Sequence, residues 1–297
     1  MKKFRNLDSS SSAKQPWDIL RWKLHKNPLA SLKKEENYRL KVLQTPHPPQ
    51  IEEDFICWLG HASFLIQLEG KRLLLDPCLT APPFFTRYAP LPFPIETIRA
   101  DYILISHGHY DHLDAKTLKY FSEITLLAPL KMEPLLTKIN PSFHILEANW
   151  FQSYPIQEDF EIYFLPAHHW HKRTLFDTNQ VLWGSFLIKK GDLSIYFAGD
   201  TAYTEHFKLI AKQFGNISIA LLPIGAYEPD WLMRDNHMSP TDALKAYKDL
   251  HAGMMIPMHF GTFDLSDELL SAPEKVLKEN ITDENIRFLS IGETLKL

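Results

Sequence analysis

The sequence predicts an α/β fold in which β-sheets are covered by helices. Short apolar runs of strand length recur from residue 51 onwards, and the first of them follow one another as neighbouring pairs. Later runs alternate with longer segments that carry apolar residues at helical spacing. Strand pairs followed by strand–helix alternation are typical of sheets packed between helices.

The chain of 297 residues is long enough for a sizeable core, and its composition changes near residue 50. Residues 1–50 carry eleven Lys or Arg against four Asp or Glu, whereas residues 51–297 carry 21 against 32. The first segment ends in "TPHPPQ", whose prolines predict a stiff linker. We therefore expect a basic N-terminal extension over 1–50 and a large domain over 51–297.

The extension contains a candidate amphipathic helix, "PWDILRWKL", at residues 16–24. Its Trp17, Leu20 and Leu24 fall at helical spacing, and a second, charged helical stretch covers residues 29–43. One interpretation is a short helix packed on the large domain. The alternative is an interfacial segment that touches an anionic membrane surface, with Trp at headgroup level and Lys and Arg beside it.

The elements of the large domain can be assigned in chain order. Predicted helices cover 115–124, with Asp114 as its N-cap, and 204–214, 239–251 and 272–280. Predicted strands cover 55–60, 63–68, 71–76, 100–106, 124–129, 160–167, 185–190, 193–200, 217–226, 253–259 and 286–292.

Targeting signals and cysteines point to the cytoplasm. No run of about 18 apolar residues predicts a membrane span. The basic N-terminus lacks the apolar segment of a signal peptide. Cys57 and Cys78 are too few for a disulfide framework, so we expect free, buried thiols in a reducing compartment.

Candidate metal ligands follow the ends of the predicted strands, where a rigid sheet positions functional side chains. Histidines that occur singly, such as His61, His144, His206 and His251, are expected to be ordinary hydrogen-bonding residues. Within "AHHWH" the residues leave His168, His169 and His171 open. The candidates at strand ends are Asp76, His107, His109, Asp111, His112, His168 or His169, Asp200 and His259.

Two-metal hydrolysis is the chemistry that suits this set. Imidazole nitrogen and carboxylate oxygen are typical ligands of Zn²⁺, with Fe or Mn as substitutes. Seven ligands can fill two sites if one carboxylate bridges them. Two ions about 3.5–4 Å apart can make water a nucleophile at neutral pH. His107 and His109 alternate along an extended segment, whereas Asp111 and His112 lie past a turn and can reach a second ion.

The segment "HGHYDH" carries the HxHxDH signature of the metallo-β-lactamase superfamily. The blocks "LPAHHWHKRTLFDTNQVLWGSF", "FAGDTAY", "PIGAYEPDWLMRDNHMSP" and "MHFGTF" closely resemble N-acylphosphatidylethanolamine-hydrolysing phospholipases D and their bacterial relatives. The resemblance covers residues 51–297. It implies an αββα four-layer sandwich with the metals at one edge.

The resemblance also assigns roles to single residues. It implies that Asp200 is the bridging carboxylate and that Asp76 is a supporting acid. Tyr110 and His237 match positions that contact phospholipid, and Asp111, Asp200 and His237 are the catalytic candidates. It selects His169 over His168, and the implied zinc ligands are His107, His109 and His169 at the first ion and Asp111, His112 and His259 at the second.

The resemblance implies a hydrolase domain with two Zn²⁺ that cleaves N-acylphosphatidylethanolamine into N-acylethanolamine and phosphatidic acid. We expect a phospholipid substrate at a membrane surface, a cytoplasmic protein or one on the inner membrane face, and a homodimer. Aromatic residues of segments 81–93 and 229–233 are candidates to line an apolar channel. The acidic domain argues against nucleic acid. The alternatives are a lactonase, another phosphodiesterase, and a non-catalytic metal- or lipid-binding protein.

Overall fold

The computed structural model of the chain describes residues 3–83, 85–282 and 285–297, and these fold into two β-sheets with helices on their outer faces. The first sheet has the strand order β13-β1-β2-β3-β4-β5-β6. Its strands are β1 (Phe55–Gly60), β2 (Ser63–Leu68), β3 (Lys71–Leu75), β4 (Tyr102–Leu104), β5 (Thr125–Pro129), β6 (His144–Ala148) and β13 (Thr294–Lys296).

The second sheet has the order β12-β11-β10-β9-β8-β7. The strands β7, β8, β9 and β10 pair in succession, each antiparallel to the next. The strands β10, β11 and β12 run parallel to one another. Its strands are β7 (Gln152–Ser153), β8 (Glu161–Leu165), β9 (Ser185–Lys190), β10 (Leu193–Phe197), β11 (Ile219–Pro223) and β12 (Met254–Met258).

Among the described residues, two helices precede the first strand along the chain, and the others lie between strands. A 3₁₀ helix covers Ile95–Thr97. The α-helices are α1 (Pro16–Leu24), α2 (Ala30–Glu35), α3 (Ala115–Leu118), α4 (Glu133–Ile139), α5 (His206–Phe214), α6 (Asp230–Met233), α7 (Pro240–Asp249) and α8 (Ala272–Asn280). In the described part of the chain, no helix combines the length and apolar content needed to cross a bilayer.

Alternation of side chains along the central strands produces the layers. On β1, Ile56 and Trp58 belong to the core between the two sheets, whereas Cys57 and Leu59 belong to a second core on the other face. Across the inner core, the rings of Phe64 and Phe197 are 6.3 Å apart between centroids. The outer core is completed by the helices α3 and α4. A strand that is buried on both faces has a continuous apolar sequence, so the central strands could be recognised from the sequence.

The αββα sandwich is therefore confirmed, and so are the buried free thiols and the Asp114 cap, which accepts from Lys116 N at 3.0 Å. The strand predicted over 286–292 is wrong. Ile286 pairs with Met255 and Ile291 with Val42, so two different partners replace one continuous ladder. The strand lies instead at β13.

Two predicted helices are shorter than expected. The helix over 115–124 ends with α3, because the next residues form single turns. The stretch 29–43 is helical only in α2, after which Glu36 turns extended and its carboxylate accepts from Leu270 N and Ser271 N. At Glu36, tertiary hydrogen bonds override local helix propensity. The short elements β6, β7, α4 and α6 were not predicted.

Candidate metal centre

Loops at one edge of the sandwich deliver the predicted ligands to one place. The segment after β4 carries Ser106 to His112, and the turn after β3 carries Asp76. From the second sheet, the loops after β8, β10 and β12 carry His169, Asp200 and His259. Both sheets therefore contribute ligands, and the strands hold each loop at its base.

The side chains form two compact groups whose ligand atoms lie within 4.8 Å of one another in each group. We call them the first and the second group. All seven ligands predicted from the sequence lie in these groups, and His61 joins them. The first group is His107, His109, His169 and Asp200, and the second is His61, Asp111, His112 and His259.

Asp200 lies between the two groups and presents one oxygen to each. Its Oδ2 is 3.8 Å from His107 Nε2 and 3.8 Å from His169 Nε2. Its Oδ1 is 3.1 Å from His112 Nε2 and 3.0 Å from His259 Nε2. This is the arrangement expected of a carboxylate that bridges two cations.

In the first group, three ring nitrogens converge. His109 Nδ1 is 3.0 Å from His107 Nε2 and 3.1 Å from His169 Nε2. The far nitrogens of two rings have polar partners: His107 Nδ1 is 3.0 Å from Ser106 Oγ, and His169 Nδ1 is 2.9 Å from the carbonyl of Asn236. Such outer contacts fix ring orientation and tautomer for a metal ligand.

The second group is organised around Asp111. His61 Nε2 is 3.0 Å from Asp111 Oδ2, and His259 Nε2 is 3.6 Å from the same oxygen. His112 Nδ1 is 2.7 Å from Asp76 Oδ2. The Asp76 carboxylate is wholly buried and also accepts from Ser106 N at 2.7 Å and from Ser106 Oγ. Asp76 therefore contacts His112 from outside the group, and its role as a supporting acid stays a prediction.

The donor set fits divalent cations. Buried polar atoms almost always have a hydrogen-bond partner. Here several buried atoms at the centre make no hydrogen bond of good geometry: His112 Nε2, His237 Nδ1, His259 Nε2 and Asp200 Oδ1. Asp200 Oδ1 nevertheless lies 3.1 Å from His112 Nε2 and 3.0 Å from His259 Nε2. Unpartnered imidazole nitrogens gathered around carboxylate oxygens have the chemistry of a zinc, iron or manganese site.

The first group is neutral apart from its carboxylate. Burial lowers the pKa of His107 and His169 well below 6.5, and the neighbouring histidines add to the effect at His107. Burial lowers the pKa of His109 to about 3. These three rings therefore need no deprotonation before they bind a cation.

The second group holds charge. Burial opposes protonation of His259, but Asp200 and Asp111 outweigh it and raise the pKa of His259 to about 9. The same carboxylates overcome burial and raise the pKa of His112 well above its usual value. Burial lowers the pKa of His61 to about 3, so its neutral ring can donate to Asp111.

Backbone conformation at the centre is unusual. His61, Asp76 and His259 have φ of 53°, 36° and 62°, in the left-handed region that disfavours side chains. Such strain, of order 1–3 kcal/mol per residue, persists only where the surrounding structure fixes it, and it clusters at functional sites. Gly108 is required in the signature, because a Cβ there would lie 2.2 Å from the His171 ring.

A pocket of about 290 Å³ opens beside the centre. Tyr110 and His237 both line it, so the two predicted substrate contacts lie in one cavity. The guanidinium of Arg173 stacks on Tyr110, 4.2 Å from the ring centroid, and the Tyr110 hydroxyl donates to the Arg173 carbonyl at 3.0 Å. His237 Nδ1 is 3.8 Å from Asp200 Oδ2.

The remaining candidates fall elsewhere. His168 lines a separate pocket of about 540 Å³ beside Leu7 and α5, and the His171 ring packs under Gly108. Of the aromatic channel candidates, Phe85 lines the pocket at the centre, and Phe84 lies outside the described residues.

Sequence reasoning missed His61 as a member of the centre. It was expected to be a hydrogen-bonding residue, which it is, but its partner is the candidate ligand Asp111. A signal was present, because "GHAS" follows the strand β1 directly, as the other ligands follow theirs.

Comparison with known proteins identifies the family. A model described as "Beta-lactamase superfamily domain" matches residues 71–260, which include all the predicted ligands. The chain belongs to the metallo-β-lactamase superfamily. The described ligand groups occupy the sandwich edge where the resemblance placed the metals.

Curated relatives within the superfamily have different names. A mitochondrial N-acyl-phosphatidylethanolamine-hydrolyzing phospholipase D of Saccharomyces cerevisiae is 35% identical over 263 residues, which is 80% of this chain and 56% of that protein. The chain thus spans little more than half of that relative. A phospholipase D of the same name from Caenorhabditis elegans is 34% identical over 76% of this chain and 69% of its own. A UPF0173 metal-dependent hydrolase of Heliobacterium modesticaldum is 32% identical over 82% of this chain and 97% of its own.

Solved structures agree on the fold. An isothiocyanate hydrolase from Delia radicum gut bacteria superposes with a TM-score of 0.66 at 20% identity, covering 82% of this chain and 98% of its own. A metallo hydrolase of Ignicoccus hospitalis superposes with a TM-score of 0.64 at 22% identity and the same coverage. The fold of this chain is therefore the one that these hydrolases share.

Proposed function

We propose that the protein is a phospholipase D-type phosphodiesterase that hydrolyses N-acylphosphatidylethanolamine to N-acylethanolamine and phosphatidic acid. The observation that carries the proposal is the pair of ligand groups that share Asp200 beside a largely apolar pocket. The similarity to the yeast and nematode phospholipases D supports the choice of lipid.

Two cations would be held by the first and second groups, with Asp200 shared between them. When bound, such a pair supplies Lewis-acid stabilisation of the charge that develops on a phosphoryl group and lowers the pKa of water. Asp111 and Asp200 suit this role because both are ionised: despite burial, the adjacent histidines, His112 foremost, hold the pKa of each well below its usual range.

His237 faces the space between pocket and centre and can orient the substrate. Burial lowers the pKa of His237 to about 4, so its ring is neutral near pH 7. A neutral imidazole carries a proton on one nitrogen, which can donate a hydrogen bond to a phosphate or leaving-group oxygen. Tyr110 is fixed by Arg173 and forms part of the wall beside the same space.

The surroundings of the pocket suit a lipid. Ile19 and Trp22 of α1 line the pocket, while Trp17 and Leu24 of the same helix are 72% and 76% exposed. Phe176, three residues after Arg173, is 85% exposed. Exposed apolar side chains on elements that border a pocket favour contact with a bilayer surface, where they can enter the headgroup region.

The proposal is tested by loading the protein with zinc and incubating it with N-acylphosphatidylethanolamine in mixed micelles, with products followed by mass spectrometry. We expect equal amounts of N-acylethanolamine and phosphatidic acid. A zinc-loaded protein that leaves this lipid intact but opens lactones or cleaves other phosphodiesters would overturn the lipid assignment. A protein that binds zinc and cleaves nothing would support a binding role instead.

A further inference from the structure

The start of the N-terminal segment is tied to a candidate ligand. Asn6 Oδ1 accepts from His169 N at 3.1 Å and from Trp183 Nε1 at 3.1 Å. Ser12 Oγ donates to the His169 carbonyl at 2.9 Å, and Asn6 Nδ2 donates to Ser12 Oγ at 2.9 Å. Asn6 and Ser12 are both buried, so residues 6–12 hold both backbone polar groups of His169.

This attachment brings Lys14 to the centre. Lys14 follows Ser12 by two residues and precedes α1, whose Ile19 and Trp22 line the pocket. Lys14 lines the same pocket, together with His109 and His237. The hydrogen bonds of Asn6 and Ser12 on one side and the position of α1 on the other therefore place Lys14 in the pocket that borders the ligand groups.

Lys14 lacks a close partner. Among the residues that the structure describes, no hydrogen bond and no ion pair within 4 Å involves its Nζ. Burial lowers the pKa of Lys14, and the more distant Asp235 and Asp18 oppose that effect only in part. Lys172 also lines the pocket, and Asp111, which lines it too, forms no ion pair within 4 Å with Lys14 in the described part of the chain. An unpaired, half-buried ammonium is costly unless a ligand supplies the anion.

We propose that Lys14 Nζ binds the anionic group of the substrate, an oxygen of the phosphodiester and later of the phosphate product. This inference rests on the proposed function for the identity of the anion. A lysine ammonium is a compact donor of charge-assisted hydrogen bonds to phosphate oxygens. The N-terminal segment would then be part of the substrate site and not an appendage of the hydrolase domain.

The test uses inorganic phosphate as the probe and the metal-loaded full chain. Lys14→Met should weaken phosphate binding, measured by calorimetry, about tenfold, because a charge-assisted hydrogen bond is lost. Lys14→Arg should stay within about threefold, since it keeps the charge. Lys23→Met is the matched control, because Lys23 is exposed on α1, and it should bind as the wild type does. Metal content should be equal in all four proteins.

A second readout uses bis(p-nitrophenyl) phosphate. Lys14→Met should raise KM far more than it lowers kcat, because the lost contact is made in both the bound substrate and the transition state. Wild-type phosphate affinity in Lys14→Met, or no phosphate binding by the wild type, would overturn the inference. If phosphate binding depends on Lys14 while the wild type cleaves no phosphodiester, the proposed function fails and the anion site stands.

Discussion

The two ligand groups of the centre differ in what holds them and in the charge they carry. The first group receives support from outside the second sheet: Asn6 and Ser12 of the N-terminal segment fix His169, and the Asn236 carbonyl orients its ring. The second group is supported by Asp76 from the turn after β3, and Thr262 Oγ1 accepts from His61 N at 2.7 Å. Half of the centre therefore depends on a segment that composition separates from the domain.

The difference in protonation follows from the carboxylates. Asp111 and Asp200 Oδ1 both face the second group, whereas only Asp200 Oδ2 faces the first. The second group therefore contains two charged histidines, His112 and His259, paired with carboxylates beside the neutral His61, and the first is a cluster of neutral rings. The two groups should respond differently to pH and to substitution.

Asp200→Ala should have the largest effect, because it removes the one side chain that both groups share. We expect hydrolysis of a phosphodiester to fall at least about 10³-fold, since metal ions stabilise the transition state by several kcal/mol. Metal content, measured by elemental analysis, should fall below two per chain. Unchanged activity or a full metal complement in this variant would refute the bridging role.

The pH dependence of metal affinity should separate the groups next. Cations must displace protons from His112 and His259, whose pKa values are raised, to about 9 at His259. For each proton that the metal displaces, metal affinity at the second group should therefore rise about tenfold with each pH unit, up to about pH 9. Affinity at the first group should be nearly flat above pH 6. Competition with a chelator from pH 6 to 9 measures both, and equal slopes at the two sites would contradict the assignment.

Asp76→Asn should weaken the second group selectively. The buried carboxylate that pairs with His112 Nδ1 becomes neutral, and loss of such an outer partner costs about 10–100-fold in metal affinity or activity. Asp192→Asn is a control on an exposed turn. A metal titration in which the first-group site is lost instead would count against the division into two groups.

Asn6→Ala should have the smallest effect and should act on the first group. It removes the acceptor of the His169 and Trp183 N–H groups, which lowers the free energy of unfolding by about 1–3 kcal/mol. Metal affinity at the first group should drop a few-fold. In Asn6→Asp the drop should be smaller, because a side-chain oxygen remains to accept from His169 N. Asn216→Ala, an exposed residue, serves as control for denaturant unfolding and metal titration.

The sequence predicted most of the fold because the central strands are buried on both faces and stand out as apolar runs. It predicted which candidate ligands lie together because they follow those strands directly. It did not predict β13, because the pairing of residues 294–296 with β1 depends on the tertiary fold, as do the isolated bridges that Ile286 and Ile291 form with Met255 and Val42. Likewise, no spacing rule links Asn6 and Ser12 to His169, which is more than 150 residues away in the chain. The place of Lys14 in the pocket could not be predicted for the same reason, because the other residues around the centre are far from it in the chain.

We infer that each ligand group holds one metal ion. Crystals of the zinc-loaded protein, with diffraction data collected on both sides of the zinc absorption edge, test this inference most directly. We expect two anomalous peaks per chain, one among His107, His109 and His169 and one among Asp111, His112 and His259, with Asp200 between them. A single peak, or a peak away from Asp200, would contradict it.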